Sequence, residues 1–279
     1  VSLPTLVGFL AGSLLFIAAV LLTAPNVLTF LNLPSLLIVV GGTVAAAFVS
    51  FEARYVGLAF REIWRLFLAP AATRTDLPKL TERIAGWGLT VKKTGVAGLE
   101  REIALSNDPD PYQRYGAELL LAGYPADEVR EMLEDTLEST FERETVPAAV
   151  LRSMASAAPA FGMVGTLVGL IAMLESMGGD AGSIGAGLAV ALVTTLYGVL
   201  FARLILTPAA SKCQQRHEIL RFRNRLVCEG FVMLAEKRTP QYIADRLNGL
   251  LDPRIRFDRR GSRTAGPPGP AAEEEEAAA

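Results

Sequence analysis

The chain has 279 residues, 51% of them hydrophobic and 20% charged, with one histidine, two cysteines and a net charge of -2; its mean hydropathy is +0.34. That inventory offers no zinc-ligand cluster, and so balanced a charge gives no reason to expect a nucleic-acid partner. The charge is unevenly spread: Val1–Phe51 holds no Asp, Glu, Lys or Arg, and residues 152–207 hold only Arg152, Glu175, Asp180 and Arg203, which excludes an ordinary soluble protein.

The first element, Leu3 to Thr23, is uncharged and long enough to cross a bilayer at about 1.5 Å per residue. It lacks a basic leading region and a second membrane-length stretch follows soon after, so it is expected to persist as an anchor rather than a cleaved leader. Its Gly8-x-x-x-Gly12 spacing is expected to permit close helix contact. After the link APNVLTFLN, Leu33 to Phe51 makes a second span, continued by the charged amphipathic stretch EARYVGLAFREIWRLF.

The next section, to about residue 150, reads as helices. Leu80, Ile84, Leu99 and Ile103 fall at helical spacings, with interruptions expected near Gly86 to Leu89 and at Gly95. NDPDP is a turn with helix-start character, and Val129, Leu133, Leu137 and Phe141 form one stripe farther on. A third span is expected over Leu151 to Met173 and a fourth over Ile184 to Leu206. Ser211 to about Leu250 reads as a long basic helix or helix pair, and the tail from residue 256 to 279 has too little apolar content to fold. Cys213 and Cys228 lie in a section placed in the cytoplasm, so free thiols are expected rather than a disulfide.

Both short links are free of Lys and Arg, whereas Arg54, Arg61, Arg65, Arg143, Arg152, Arg203, Lys212 and Arg216 flank the opposite ends of the spans. The positive-inside bias therefore puts both termini and the middle section in the cytoplasm. The predicted fold class is all-α: a multi-pass membrane protein with four transmembrane helices and a helical cytoplasmic section. By residue the division is 1–51 for spans one and two, 52–150 for the cytoplasmic section, 151–207 for spans three and four, 208–255 for a C-terminal helical region and 256–279 for a disordered tail.

Within the third span, PAFGMVGTLVGLIAM mixes apolar bulk with Pro159, Gly162, Gly165, Thr166 and Gly169; Ala155, Ala158 and Gly185 add further small residues. Small residues permit close backbone contact, and Pro159 interrupts the hydrogen-bond ladder. Thr194 and Thr195 lie in the fourth span, where such hydroxyls either bond back to their own helix or face a neighbour. No span has an ionisable residue at its centre. An ion-coupled machine ordinarily needs a carboxylate at that depth, so either the chain conducts nothing or a partner brings the carboxylate.

At Pro159 to Met173 and Ala189 to Gly198 the sequence resembles the flagellar stator A subunits, the MotA/PomA type of the MotA/TolQ/ExbB family. LLIVVGGTVAAAFVSF, VKKTGVAGLERE and GAGLAVALVTTLYGVLFARLILTPAA extend the likeness over about residues 3 to 245. The resemblance implies a homo-oligomer, a pentamer in the family, around a dimer of single-span B subunits that supply the membrane aspartate and bind peptidoglycan. It implies the bacterial inner membrane, ion flow converted into torque on a rotor, no cofactor and no enzymatic chemistry. Pro159, Thr166, Thr194 and Thr195 match ion-pathway positions, and Pro159 and Pro208 match positions that couple ion passage to movement. Gly162, Gly165 and Gly169 match the packing face, while Lys92, Lys93 and Glu100 match charges that engage the rotor's switch-complex protein. Arg101 stands where sodium-type relatives can carry another acid. Na+ and H+ are both open as the transported ion; threonine at position 166 favours Na+. Two other readings stand beside this one: a TolQ/ExbB-like energiser of an outer-membrane system, which usually has three spans, and a membrane scaffold without ion flux.

Overall fold

A computed structural model describes residues 3–23, 30–65, 77–105, 110–175, 181–253 and 256; the tail read as disordered lies outside these apart from residue 256, as do parts of the links between spans. All regular structure among the described residues is helical. The helices are α1 (Leu3–Thr23), α2 (Leu33–Leu36), α3 (Gly42–Ser50), α4 (Ala53–Arg65), α5 (Leu77–Thr94), α6 (Val96–Ala104), α7 (Pro111–Ala122), α8 (Ala126–Glu175), α9 (Ala181–Leu200), α10 (Thr207–Ala235) and α11 (Pro240–Leu250). One π-helical segment, Leu37–Gly41, joins α2 to α3, and another, Phe201–Leu206, joins α9 to α10. Three helical stretches, Leu33–Ser50, Ala126–Glu175 and Ile184–Ala235, are long and apolar enough to cross a membrane, with Leu10–Thr23 a shorter apolar helix.

The chain forms two compact units, each assembled from two separate segments: Val1–Ala71 with Ser139–Ile219, and Ala72–Glu138 with Leu220–Ala279. In the first unit Val39, Ala47, Val56, Ala59, Leu151, Met154, Ala158 and Leu206 are buried together. Helix α4 presents Val56 and Ala59 to that cluster and buries Glu62, which pairs with Arg65 at 2.9 Å and Arg216 at 2.6 Å. Two guanidinium groups offset the cost of placing one carboxylate there.

The second unit has a water-driven core of Ile84, Trp87, Leu99, Leu133, Leu226, Phe231 and Ile243. The rings of Trp87 and Phe231 lie 5.3 Å apart. Its helix ends follow from local chemistry. Asp110 accepts a hydrogen bond from the Tyr112 N–H ahead of Pro111, and Thr239 does the same for Tyr242 ahead of Pro240. Gly123 closes α7 at φ 81° and Gly95 separates α5 from α6 at φ 76°, backbone angles that glycine adopts without a Cβ penalty.

One expectation is corrected here. Helix α5 runs unbroken through Gly86 to Leu89, because Gly88 faces Pro240 and Ile243, which a Cβ would meet at 3.2 Å; it is a close-packing position, not a break. The stretch read as the third span is the C-terminal part of a longer helix, since α8 continues for 50 residues through Pro147 and Pro159.

Both cysteines are free and buried. Burial pushes the Cys228 thiol up to about 11, so it stays protonated as a small hydrophobe. On α8 the Arg130 guanidinium grips Glu229 through bonds of 2.7 and 3.3 Å, and that grip holds the Glu229 carboxyl below the usual carboxylate range against the opposing effect of burial. A depressed native pKa means the stabilisation is complete above the unfolded-state value and is lost as pH falls through the native one. Glu229→Gln is therefore expected to lower stability at pH 7 by on the order of 1 kcal/mol, with the gap to wild type closing below about pH 4. Thermal unfolding of the detergent-solubilised protein across that range checks it; a gap independent of pH would refute the assignment.

Candidate membrane ion site

Small residues on α8 and α9 meet in antiparallel order. A Cβ on Gly198 would lie 2.7 Å from the Ala158 carbonyl oxygen and 3.2 Å from the Pro159 Cα. One on Gly162 would lie 3.1 Å from the Thr195 Cα, and one on Gly169 2.6 Å from the Ala191 nitrogen. At the far end, a Cβ on Gly187 would lie 2.9 Å from the Met173 backbone nitrogen. The spacings 158, 162, 165, 169 and 187, 191, 194, 198 follow one helical stripe on each partner, so the two backbones touch along their length.

That approach brings side chains of α9 within reach of α8. The Thr166 hydroxyl lies 2.5 Å from the Thr195 hydroxyl, 3.1 Å from the Gly162 carbonyl oxygen and 3.1 Å from the Ala191 carbonyl oxygen. Thr195 also reaches the Gly162 carbonyl at 3.3 Å. Two hydroxyls and two carbonyls thus form a half-buried, uncharged oxygen cluster. Two hydroxyl protons serve several acceptors, and lone pairs remain for a cation or a hydrogen-bond donor. Below it, Pro159 has no N–H to give the Ala155 carbonyl its usual i+4 partner.

Thr194 points elsewhere. It is fully buried, its methyl occupies the space over Gly165, and its hydroxyl turns to Ser35 at 3.0 Å and back to the Val190 carbonyl at 2.5 Å. The structure therefore brings Thr166 and Thr195 together with Gly162, and separates Thr194 from them. Pro208 lies beyond the second π segment, where the Thr207 N–H reaches five residues back to the Ala202 carbonyl. Lys92 and Lys93 are exposed in the last turn of α5, and Glu100 is half-buried on α6, on the other side of the Gly95 break. Among the described residues Gly8 and Gly185 have no close neighbour: a Cβ on either would find nothing within 4 Å, and one on Gly12 meets only Leu204 at 3.9 Å.

Sequence reasoning passed over four residues of this region. Gly187 and Gly198 carried a signal, the mirrored helical spacing on α9. Ser35 and Tyr197 carried none, since their roles depend on which helix they face. The Tyr197 hydroxyl donates to the Phe30 carbonyl and accepts from the Asn32 N–H at 3.2 Å, holding the start of α2.

The family described as the MotA/TolQ/ExbB proton channel family matches residues 106–224. Chemotaxis protein PomA of Vibrio alginolyticus is 33% identical over 250 residues, 90% of this chain and 95% of that protein. Motility protein A of Aquifex aeolicus is 34% identical over 215 residues, 77% of this chain and 83% of its own length. Among solved structures, C. jejuni MotAB superposes with a TM-score of 0.81 at 21% identity, covering 93% of this chain and all (100%) of that one. The flagellar MotAB stator complex from Bacillus subtilis gives 0.79 at 21%, covering 90% and 96%.

The packing makes a graded prediction. Gly169→Leu and Gly198→Val place side-chain atoms into backbone and are expected to lower recovery of the folded membrane protein by at least about tenfold, whereas Gly185→Ala leaves it unchanged. Quantifying monodisperse protein after detergent extraction checks this, and equal recovery of all three variants would dismiss the seam.

Proposed function

This chain belongs to the MotA/TolQ/ExbB proton channel family, and from that premise we propose how it turns ion flow into torque. Its function is that of a flagellar motor stator A subunit, which moves ions and does no covalent chemistry. The proposed setting is the bacterial inner membrane, crossed four times by α1, α2–α3, the C-terminal part of α8, and α9 with the π segment after it. Both termini and the second unit lie in the cytoplasm, in keeping with the Lys/Arg bias of the loops. Five copies surround two single-span B subunits anchored to peptidoglycan.

The observation that carries the mechanism is the Thr166–Thr195 oxygen cluster, set at mid-span in a seam without a carboxylate of its own. A B-subunit aspartate facing this seam supplies the charge. An ion leaving water exchanges hydration oxygens for that carboxylate and for the threonine and carbonyl oxygens of the wall. Occupancy neutralises the aspartate, which changes its fit against Gly162 and Pro159 and permits the ring to advance by one subunit. The carbonyl that Pro159 leaves without its i+4 donor offers one more oxygen on the cytoplasmic side, and Pro208 stands in the first turn of α10, just past the π segment through which the fourth span continues.

The proposed coupling ion is sodium. A proton needs only the carboxylate, whereas sodium needs several uncharged oxygens, and the paired hydroxyls provide them. Motor speed is expected to follow external sodium at constant ionic strength and pH, and Thr166→Ala is expected to raise the sodium needed for half-maximal speed about tenfold or more. Rotation that ignores sodium and stops with the proton gradient would replace sodium by the proton.

Torque leaves through the corner between α5 and α6. Lys92 and Lys93 are solvent-exposed, and a single exposed charge contributes little on its own. Lys93→Glu is therefore expected to reduce torque modestly, and the double change Lys92→Glu with Lys93→Glu to abolish most of it, with membrane assembly intact. Bead-rotation assays at normal expression check this; full torque from the double variant removes the corner from the rotor contact.

A further inference from the structure

We propose that Ser35, on α2, is a positioning residue for the ion site, acting through Thr194; this rests on the reading of Thr166 and Thr195 as the ion-facing pair. Ser35 and Thr194 are both fully buried (0% exposed). The Ser35 hydroxyl accepts from Thr194 at 3.0 Å and donates onward to the Asn32 side-chain oxygen at 3.0 Å, with the Val190 carbonyl also near at 3.3 Å. Asn32 is fixed in turn, because its side chain caps α2 through the Ser35 N–H and its own N–H donates to Tyr197. The chain of contacts leaves α9 at Thr194, crosses to α2, and returns to α9 at Tyr197.

Such a closed loop fixes how α9 is rotated about its axis. Thr194 and Thr195 are adjacent, so their side chains diverge by about 100° around the helix. Thr194 is gripped by α2 while Thr195 faces Thr166 on α8. A rotation of α9 by about 10°, acting at roughly 4 Å from the axis, displaces the Thr195 hydroxyl by about 0.7 Å. That is enough to stretch its 2.5 Å contact with Thr166 beyond the usual O–H···O range. Without the Ser35 hydroxyl, Thr194 keeps its bond to Val190 on its own helix and its methyl contact over Gly165, but no hydrogen bond to another helix. Ser35 thereby sets the geometry of an oxygen cluster it does not touch.

The test is motor speed against external sodium, and separately against external pH, in cells producing the full stator with Ser35→Ala, Thr194→Val or Thr194→Ser. Thr194→Val keeps the shape and removes the hydroxyl; Thr194→Ser restores it. Ser35→Ala and Thr194→Val are each expected to raise the ion concentration for half-maximal speed about fivefold. The two together are expected to fall well short of the sum of their separate effects, because both lose the Ser35–Thr194 bond although each also loses a bond of its own, and Thr194→Ser should stay near wild type. A merely structural role would lower stator number or maximal torque and leave the half-maximal concentration unmoved, which overturns the proposal. Should Ser35→Ala fail to assemble, Thr194→Val decides the same question. Thr166→Ala runs beside them: if it shifts the ion dependence and the Ser35 and Thr194 variants do not, only the positioning role falls. If Thr166→Ala shifts neither the sodium nor the pH dependence, the ion-site reading falls and the proposal with it.

Discussion

The contact between the backbones of α8 and α9 is the constraint from which the membrane chemistry of this chain follows. Lipid gives helices no hydrophobic reason to associate, so the pair is held by dispersion across a surface with almost no side chains and by the polar groups that this closeness brings into reach. A threonine hydroxyl is only a few bonds long. Thr195 can touch both Thr166 and the Gly162 carbonyl only because Gly162 has no side chain to hold the helices apart. Bulk at Gly162, Gly165 or Gly169 would first separate two helices and, as a consequence, disperse four oxygens.

The run Thr194-Thr195-Leu196-Tyr197-Gly198 shows one helix serving two neighbours at once. Thr195 and Gly198 are committed to α8, at Thr166 and at Ala158 with Pro159. Thr194 and Tyr197 are committed to α2 and the residues just before it. Polar groups at membrane depth find few alternative partners, and each commitment therefore also specifies orientation. The second unit solves a different problem. There water supplies the driving force, and large side chains such as Trp87 and Phe231 interlock, with charges such as Arg130 and Glu229 at the margin.

What could be read from the sequence divides along the same physical line. The all-helical class, the apolar stretches, the Asp110-Pro111 helix start and the Gly95 break were legible, because each is a local property of composition or capping. So was the small-residue face of α8, whose period lies within one segment. The partition between Thr194 and Thr195 was not. Two adjacent threonines look equivalent until it is known that α2 lies on one side of α9 and α8 on the other. Glycine spacing alone also does not separate Gly8 and Gly185 from the seam glycines, although no neighbour among the described residues comes close to either. The reverse held for Gly88, where a glycine inside a helix was taken for a break and is instead filled by Pro240 and Ile243.

The interleaving of the two units in the chain also dictates an order of manufacture. Ribosomes deliver α5, α6, α7 and the first half of α8 well before Leu226, Phe231, Ile243 and Leu247, yet all of these belong to one core. Between the two batches lies the apolar hairpin, which must enter the bilayer. Nascent chains therefore hold Ile84, Trp87 and Leu133 without their C-terminal partners until α10 and α11 have been made. A chain that stops short of α11 lacks Ile243 and Leu247 and leaves their partners in the second unit's core uncovered.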